Sequence, residues 1–201
     1  MGSVLRGWAL AEQGQNEEGL TQIHQGMATL HAVGSEIERP SFLALLAEAY
    51  GKAGQAENGL ALLAEALAMV DKSGERLYEA EMYRLKGELT LQQANQKVKG
   101  KRRKKSSVVS SQLSVPNFQS PAVKVQSEAE ECFHKAIEIA RKQQAKSLEL
   151  RATMSLARLW RQQGKKAEAH GMLSEIYNWF TEGFDTKDLQ EAKALLEELR
   201  H

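Results

Sequence analysis

Leu43-Ala44-Leu45-Leu46-Ala47-Glu48-Ala49-Tyr50-Gly51-Lys52-Ala53-Gly54-Gln55-Ala56-Glu57-Asn58-Gly59-Leu60-Ala61-Leu62-Leu63 decides the fold. Leu43, Leu46, Ala47 and Tyr50 make one stripe at helical spacing. Leu60, Leu63, Ala66 and Leu67 make another. Between them stands Gly54-Gln55, a stop and a turn. The pattern predicts two antiparallel helices whose small residues, Ala47 and Gly59, let the backbones approach while Leu63 fills the space beside them.

The same arrangement recurs at a fixed step. Gly14, Gly54 and Ala94 stand forty residues apart, and the next match, Gly164, follows after seventy. Gly7, Ala47, Gly87 and Ala157 keep that step with small residues. Ile23, Leu63, Phe133 and Leu173 keep it with large apolar ones. The extra thirty residues therefore enter between about Ala94 and Glu128. A fixed period of this kind marks a stacked-repeat protein, in which each unit buries its face against its neighbours. The units run over about 1–34, 35–74, 75–144 and 145–184, the first of them truncated. Gly34 and Gly74 are read as helix stops, with Gln144 at the equivalent junction. Ser35 and Glu38 form a candidate capping box, and Pro40 either delays the helix that follows or distorts its first turns.

Residues 185–201 carry Leu189, Ala192, Leu195, Leu196 and Leu199 on one face and Glu191, Lys193, Glu197 and Glu198 on the other. That is the pattern of a capping helix, with Asp185 as its expected N-cap. Extended backward, the register places the first helix start about five residues before Met1, so the chain is expected to be the C-terminal piece of a longer array or the product of a split gene. The expected fold is all-α: a right-handed α-α superhelix of about four 40-residue helical hairpins plus a capping helix. Its segments are 1–95 (repeats), 96–127 (insertion), 128–184 (repeats) and 185–201 (cap).

The insertion is distinct in charge. The chain holds 27 Lys and Arg against 26 Asp and Glu, a net charge of +1. Eight of the bases, including Lys97, Lys99 and Lys101 to Lys105, lie within 96–127 with no acid, leaving the rest at about −7. Like charges, serines and two prolines predict a disordered loop. A single cysteine, Cys132, excludes an internal disulfide and suits a reducing compartment. No secretory signal or long apolar run is visible, so a cytoplasmic protein without a membrane segment is expected.

Helix, tight turn and second helix, with Leu46, Ala47, Tyr50, Gly59, Leu63 and Ala66 at the close-approach points, resemble the tetratricopeptide repeat. Gly87, Ala129, Phe133 and Ala136 carry the resemblance in the third unit, and Leu156, Ala157, Trp160, Ala169 and Leu173 in the fourth. The period of forty rather than thirty-four implies longer helices, and Ile176 stands where the family has a small residue. Three stretches, 80–89, 144–151 and 183–192, resemble the C-terminal repeats of bacterial adenylate/guanylate cyclase–P-loop ATPase signalling proteins. The resemblance implies a regulatory module, with cyclase or ATPase domains of the same system as partners. No catalytic motif of those proteins occurs in the chain.

Motifs for chemistry are absent from the sequence. Gly51-Lys52-Ala53-Gly54 and Gly164-Lys165-Lys166 share only fragments with a phosphate-binding loop and read as turns. His24, His31, His134, His170 and His201 lack metal-ligand spacing, and Cys132 reads as a buried, inert thiol. No enzyme, cofactor or metal is expected. Basic residues are the remaining candidates. Arg151, Arg158 and Arg161 share a helix face with Met154, and Glu48, Lys52, Arg84 and Glu88 match that face in the preceding units. The resemblance places this face of each first helix in a concave groove. Guanidinium groups there would hold the carboxylates of an acidic peptide or protein partner, with Arg84, Arg158 and Arg161 as the leading candidates. The plainer reading is a solvated face with ion pairs to Glu88 and Glu149. The alternative function is nucleic-acid association through the basic 97–105 stretch by counterion release, a reading weakened by the lack of interleaved aromatics.

Overall fold

Gly54 stops a helix and Gln55 starts the next, and the backbone shows how. In a computed structural model, which describes residues 2–32, 34, 38–105 and 121–200 (the backbone alone for 100–105), Gly54 has φ 75°. The amide of Gln55 reaches back to the carbonyl oxygen of Tyr50 at 2.8 Å. This six-to-one hydrogen bond closes a helix whose last residue turns left-handed, a conformation that costs glycine little. The same bond joins Gln15 to Leu10 and Lys165 to Trp160, both at 2.9 Å, beside Gly14 and Gly164. The repeated glycine is thus a repeated stop signal.

Helices are the regular elements of the described residues, with no strand among them: α1 (Gly2–Glu12), α2 (Asn16–Ala32), α3 (Arg39–Lys52), α4 (Ala56–Ser73), α5 (Glu79–Lys105), α6 (Pro121–Lys142), α7 (Lys146–Gln162), α8 (Lys166–Tyr177) and α9 (Lys187–Leu199). The chain divides into two compact units. The first comprises Met1–Glu75 with Glu88–Ala129, the second Arg76–Gly87 with Glu130–His201. In the first, α1 packs on α2 and α3 on α4, and α3 also touches α1 and α2. In the second, α7 packs on α8, and α9 rests on both. First helix on first helix, and second helix on the next first helix, is the stacking expected of a repeat array.

The small–large ladder is the core. Ile23, Leu63, Phe133 and Leu173 are each 0% exposed, and burying such a side chain is worth roughly 1.5–3 kcal/mol. Gly87 shows why its partner position must be small. A Cβ there would lie 2.5 Å from Cε1 of Phe133, well inside contact distance. In the first unit Val4, Ile23, Phe42, Leu45 and Leu46 form one cluster with Tyr50 and Leu62 against it. In the second, Leu150, Ala157, Leu173 and Ile176 join Leu189, Leu195 and Leu199 of α9. Ile176 is fully accommodated in that cluster despite its size.

Three local expectations are revised, and of the two readings of Pro40 the late helix start holds. Pro40 occupies the second position of α3, so the helix starts late. Its N-cap, Glu38, makes no side-chain cap bond, and Ser35 lies outside the described residues. The N-cap of α9 is Thr186 rather than Asp185. The Thr186 hydroxyl donates to the Gly183 carbonyl at 2.7 Å, while the Asp185 carbonyl accepts from Gln190 at 3.1 Å. No turn forms at Ala94-Asn95, where α5 runs straight on to Lys105. Residues 96–105 and 121–127 of the expected disordered insertion are therefore helical, and 106–120 lie outside the described residues. Alanine lacks glycine's access to a left-handed stop, while Gln, Lys and Arg favour helix. The Gln92 and Gln96 amides also anchor the extension on the carbonyls of Gly51 (2.7 Å) and Gly54 (2.9 Å). Pro121 at the first position of α6 suits a helix start.

Candidate functional site

The polar faces of the first helices are built as rungs between successive units. In the first compact unit, Trp8 Nε1 of α1 donates to Glu48 Oε2 of α3 at 2.7 Å, and Lys52 pairs with Glu12 one turn further on. Residues forty apart meet because the repeat brings equivalent positions side by side. Glu88 lies half-buried in α5 of the same unit.

In the second unit the rungs involve arginine. Arg84 donates to Glu81 through Nε (2.9 Å) and Nη2 (2.6 Å), and Arg151 Nη2 reaches the same carboxylate at 2.8 Å. Both Glu81 and Arg84 are buried. Arg84 is therefore a locked internal cation, not an outward clamp. A carboxylate taken from water needs several donors to compensate, and two arginines supply them. Arg158 pairs with Glu191 at 2.8 Å, and Arg161 pairs with Glu198, so both lean on α9. Their side chains are 39% and 36% exposed. Of the seven candidates, Arg84 and Arg151 are brought together on Glu81, and Arg158 and Arg161 lie side by side on α7 facing α9. Glu48 and Lys52 belong to the α1–α3 rungs. A guanidinium carries five N–H donors, so one intramolecular carboxylate does not exhaust Arg158 or Arg161.

Glu149, expected to balance those arginines, instead accepts from Arg141 Nε and Lys146 Nζ, each at 2.7 Å. Burial raises its pKa, but the hydrogen bonds and charges of Lys146 and Arg141 outweigh this and hold it below the usual carboxylate value. On α6, exposed Glu138 is also lowered, chiefly by its hydrogen bond from Lys142 and then by the charges of Lys135 and Lys142.

Other polar groups can be assigned from geometry. His24 Nε2 lies 2.9 Å from the Tyr50 hydroxyl, ring against ring at 6.0 Å, and His134 meets Trp160 at the same centroid distance. The two pairs occupy equivalent repeat positions and are junction packing. His24 and His31 also border an open cleft of about 460 Å³ between α2, α3 and α4, with Met27, Phe42 and Leu46 among its walls. Near α9, Arg200 Nε donates to His170 Nε2 at 3.4 Å, and His170 Nδ1 stands 3.3 Å from Ser174 Oγ. With Nε2 accepting, the neutral ring carries its proton on Nδ1 and is not placed to remove one from serine. Cys132 is half-buried on α6. No grouping of three His, Cys, Asp or Glu suited to a metal occurs among the described residues. No helix among them is long and apolar enough to cross a membrane.

Sequence reasoning passed over one feature. Tyr177, Trp179, Phe180 and Phe184, four of the chain's twelve aromatic residues, fall within eight positions at the α8–α9 connection. Trp179 stacks edge-on with Phe180 at 5.2 Å, Tyr177 meets Phe184 at 5.9 Å, and Lys146 Nζ lies 5.7 Å from the Trp179 ring centroid. Local aromatic density was the available signal.

No family model matches the chain, and no curated protein matches it either. Solved structures do. A kinesin-light-chain-like protein of Podosopora anserina, described as having nearly identical TPR-like repeats, superposes with a TM-score of 0.59 at 18% identity, covering 99% of this chain and 92% of that one. A single-substitution variant of that protein gives the same values. At this identity the likeness concerns the fold, and this chain is accordingly an all-α protein of TPR-like helical hairpins.

Proposed function

We propose that this chain is a non-enzymatic scaffold that captures a protein or peptide partner on the first-helix face of its second compact unit. The observation that carries the reading is the pair Arg158 and Arg161, half-exposed on one face of α7 and oriented by Glu191 and Glu198. Their remaining donors suit a carboxylate-rich segment, and a fold shared with TPR-like repeat proteins over nearly the whole chain is compatible with that role. The resemblance of three stretches to the repeats of cyclase–ATPase signalling proteins supports a finer reading. The scaffold would be a regulatory part of such a system, with its cyclase or ATPase domains as partners.

The test compares capture by the intact protein with capture by Arg158→Glu/Arg161→Glu. The double variant should recover at least about tenfold less partner, the scale expected when charged anchors are reversed. A thermal melt controls for loosening of α9. Conversely, Glu191→Gln/Glu198→Gln releases both guanidiniums and should strengthen capture. Unchanged recovery by both variants rejects this face as the site.

A further inference from the structure

The connections between successive units in the second compact unit bring an exposed apolar and cationic strip together. Gln143 Nε2 donates to the Arg76 carbonyl at 2.6 Å, tying the start of α5 to the α6–α7 turn. Three residues on, Lys146 lies over Trp179 of the α8–α9 connection. Leu77, next to Arg76, is 74% exposed and Trp179 58%. A lone exposed leucine is ordinary, but Trp179 packs edge-on against Phe180, so its open face belongs to a wider apolar patch of the kind that marks an interaction site. Tryptophan, moreover, dominates the energetics of many interfaces.

The charges on this strip are layered. Arg76 pairs with Glu79 at 3.0 Å, and Arg141 and Lys146 share Glu149. The carboxylates are 6% and 4% exposed, whereas the Arg76 and Arg141 side chains are 56% and 51% exposed. Three cations thus stand over two buried anions, and solvent meets the positive side. A basic partner would meet these cations first. A carboxylate would meet donors already oriented by the anions beneath them.

We propose that Leu77, Arg76, Arg141, Lys146 and Trp179 form a docking surface for an acidic peptide segment carrying one large apolar side chain. The apolar residue packs on Trp179 beside Lys146, and the flanking carboxylates take the outward N–H groups of Arg76 and Arg141, with Leu77 at the edge next to Arg76. The surface lies on the inter-unit connections, not on the α7–α9 face of Arg158 and Arg161, and does not depend on the role assigned to that face.

The experiment uses the full chain and a fluorescein-labelled heptapeptide with a central leucine flanked by three acidic residues on each side, followed by anisotropy. Saturable binding is expected. Trp179→Ala should weaken it about tenfold or more, and Arg141→Gln, which leaves Lys146 on Glu149, by about threefold. Trp179→Phe should restore part of the loss. Melting temperatures check that each variant folds. Lys72→Glu, at an exposed cation of the first compact unit, should leave the affinity within about twofold, since a single solvated charge outside a site does little. The proposal is overturned if the acidic peptide does not saturate, or if its affinity ignores Trp179→Ala. It is equally overturned if loss follows only Arg158→Glu/Arg161→Glu, if a peptide with lysine for each acid binds as well, or if phosphatidylserine vesicles bind while the peptide does not.

Discussion

The two compact units share a repeat but differ in what they bury. In the first, the buried side chains are apolar, from Val4 and Ile23 to Leu63 and Val70. Every buried polar or charged residue among the described ones, namely Glu79, Glu81, Arg84, Glu149, Thr153 and Ser155, lies in the second. An apolar interior is held by area and shape, both indifferent to pH. An interior that includes ion pairs depends on the presence of each partner, since removing one leaves the other charged and desolvated. The difference makes the second unit the one that substitution and acid should disturb first.

The largest expected effect comes from Glu81→Ala. Arg84 and Arg151 would both lose their shared carboxylate, at a cost of about 3–5 kcal/mol. Native-state hydrogen exchange should show this in the α7 amides and leave α1 to α4 unchanged. Equal loosening of all helices would mean that the two units open together.

A second effect separates the units by pH. Glu149 has a folded pKa below its ordinary value of 4.5, so its contribution to stability is present above that value. It is lost as the pH falls through the lowered folded value. Protection factors, which remove the slowing of intrinsic exchange by acid, should fall in α7 before they do in α3 and α4 as the pH is lowered from 6 to about 3. Glu149→Gln should flatten that acid dependence. Acid loosening that begins in α3 would contradict the assignment.

The smallest effect concerns the helix stops. In the first unit the left-handed positions are Gly14, Gly34, Gly54 and Gly74, whereas the second has Gly164 and Gly183 but also Gln144, at φ 54°. The Ala145 amide still bonds the Ala140 carbonyl at 2.9 Å, so the stop is intact but carries a side chain that disfavours it. Gln144→Gly should stabilise the second unit by roughly 0.5–1 kcal/mol, after the extra freedom glycine gains when unfolded. A melt should rise by about 2–4 °C at most. A lower midpoint would show that the Gln144 side chain itself does stabilising work.

These differences mark what a single sequence can disclose. The small–large ladder and the turn glycines were legible because each is a local pattern repeated at a fixed step, and repetition separates signal from accident. The leucine face of α9 was legible for the same reason. The length of α5 was not, since Ala94 and a run of Lys and Arg fit both a helix and a charged loop. Nor was the fate of Arg84. Helical spacing gives the face on which a side chain starts, but only the approach of Glu81 and Arg151 decides that it ends buried. Arg158 and Arg161 were placed on the right helix, while their partners on α9 depended on tertiary contact.

The passage of α5 through the place where its equivalents stop has a consequence for the order of folding. Elsewhere a hairpin closes over three residues, such as Gln13 to Gln15, and its key contact is near in sequence, Gly7 on Ile23. Between α5 and α6 fifteen residues intervene, and Gly87 must find Phe133. Closing the longer connection costs about 1.4 kcal/mol more in chain entropy. The hairpins α1–α2, α3–α4 and α7–α8 are therefore expected to form early, with α5–α6 the last to lock. Pulse-labelled exchange during refolding should show the amides around Phe133 protected after those around Ile23 and Leu173; simultaneous protection would show that stacking, not loop closure, limits the rate.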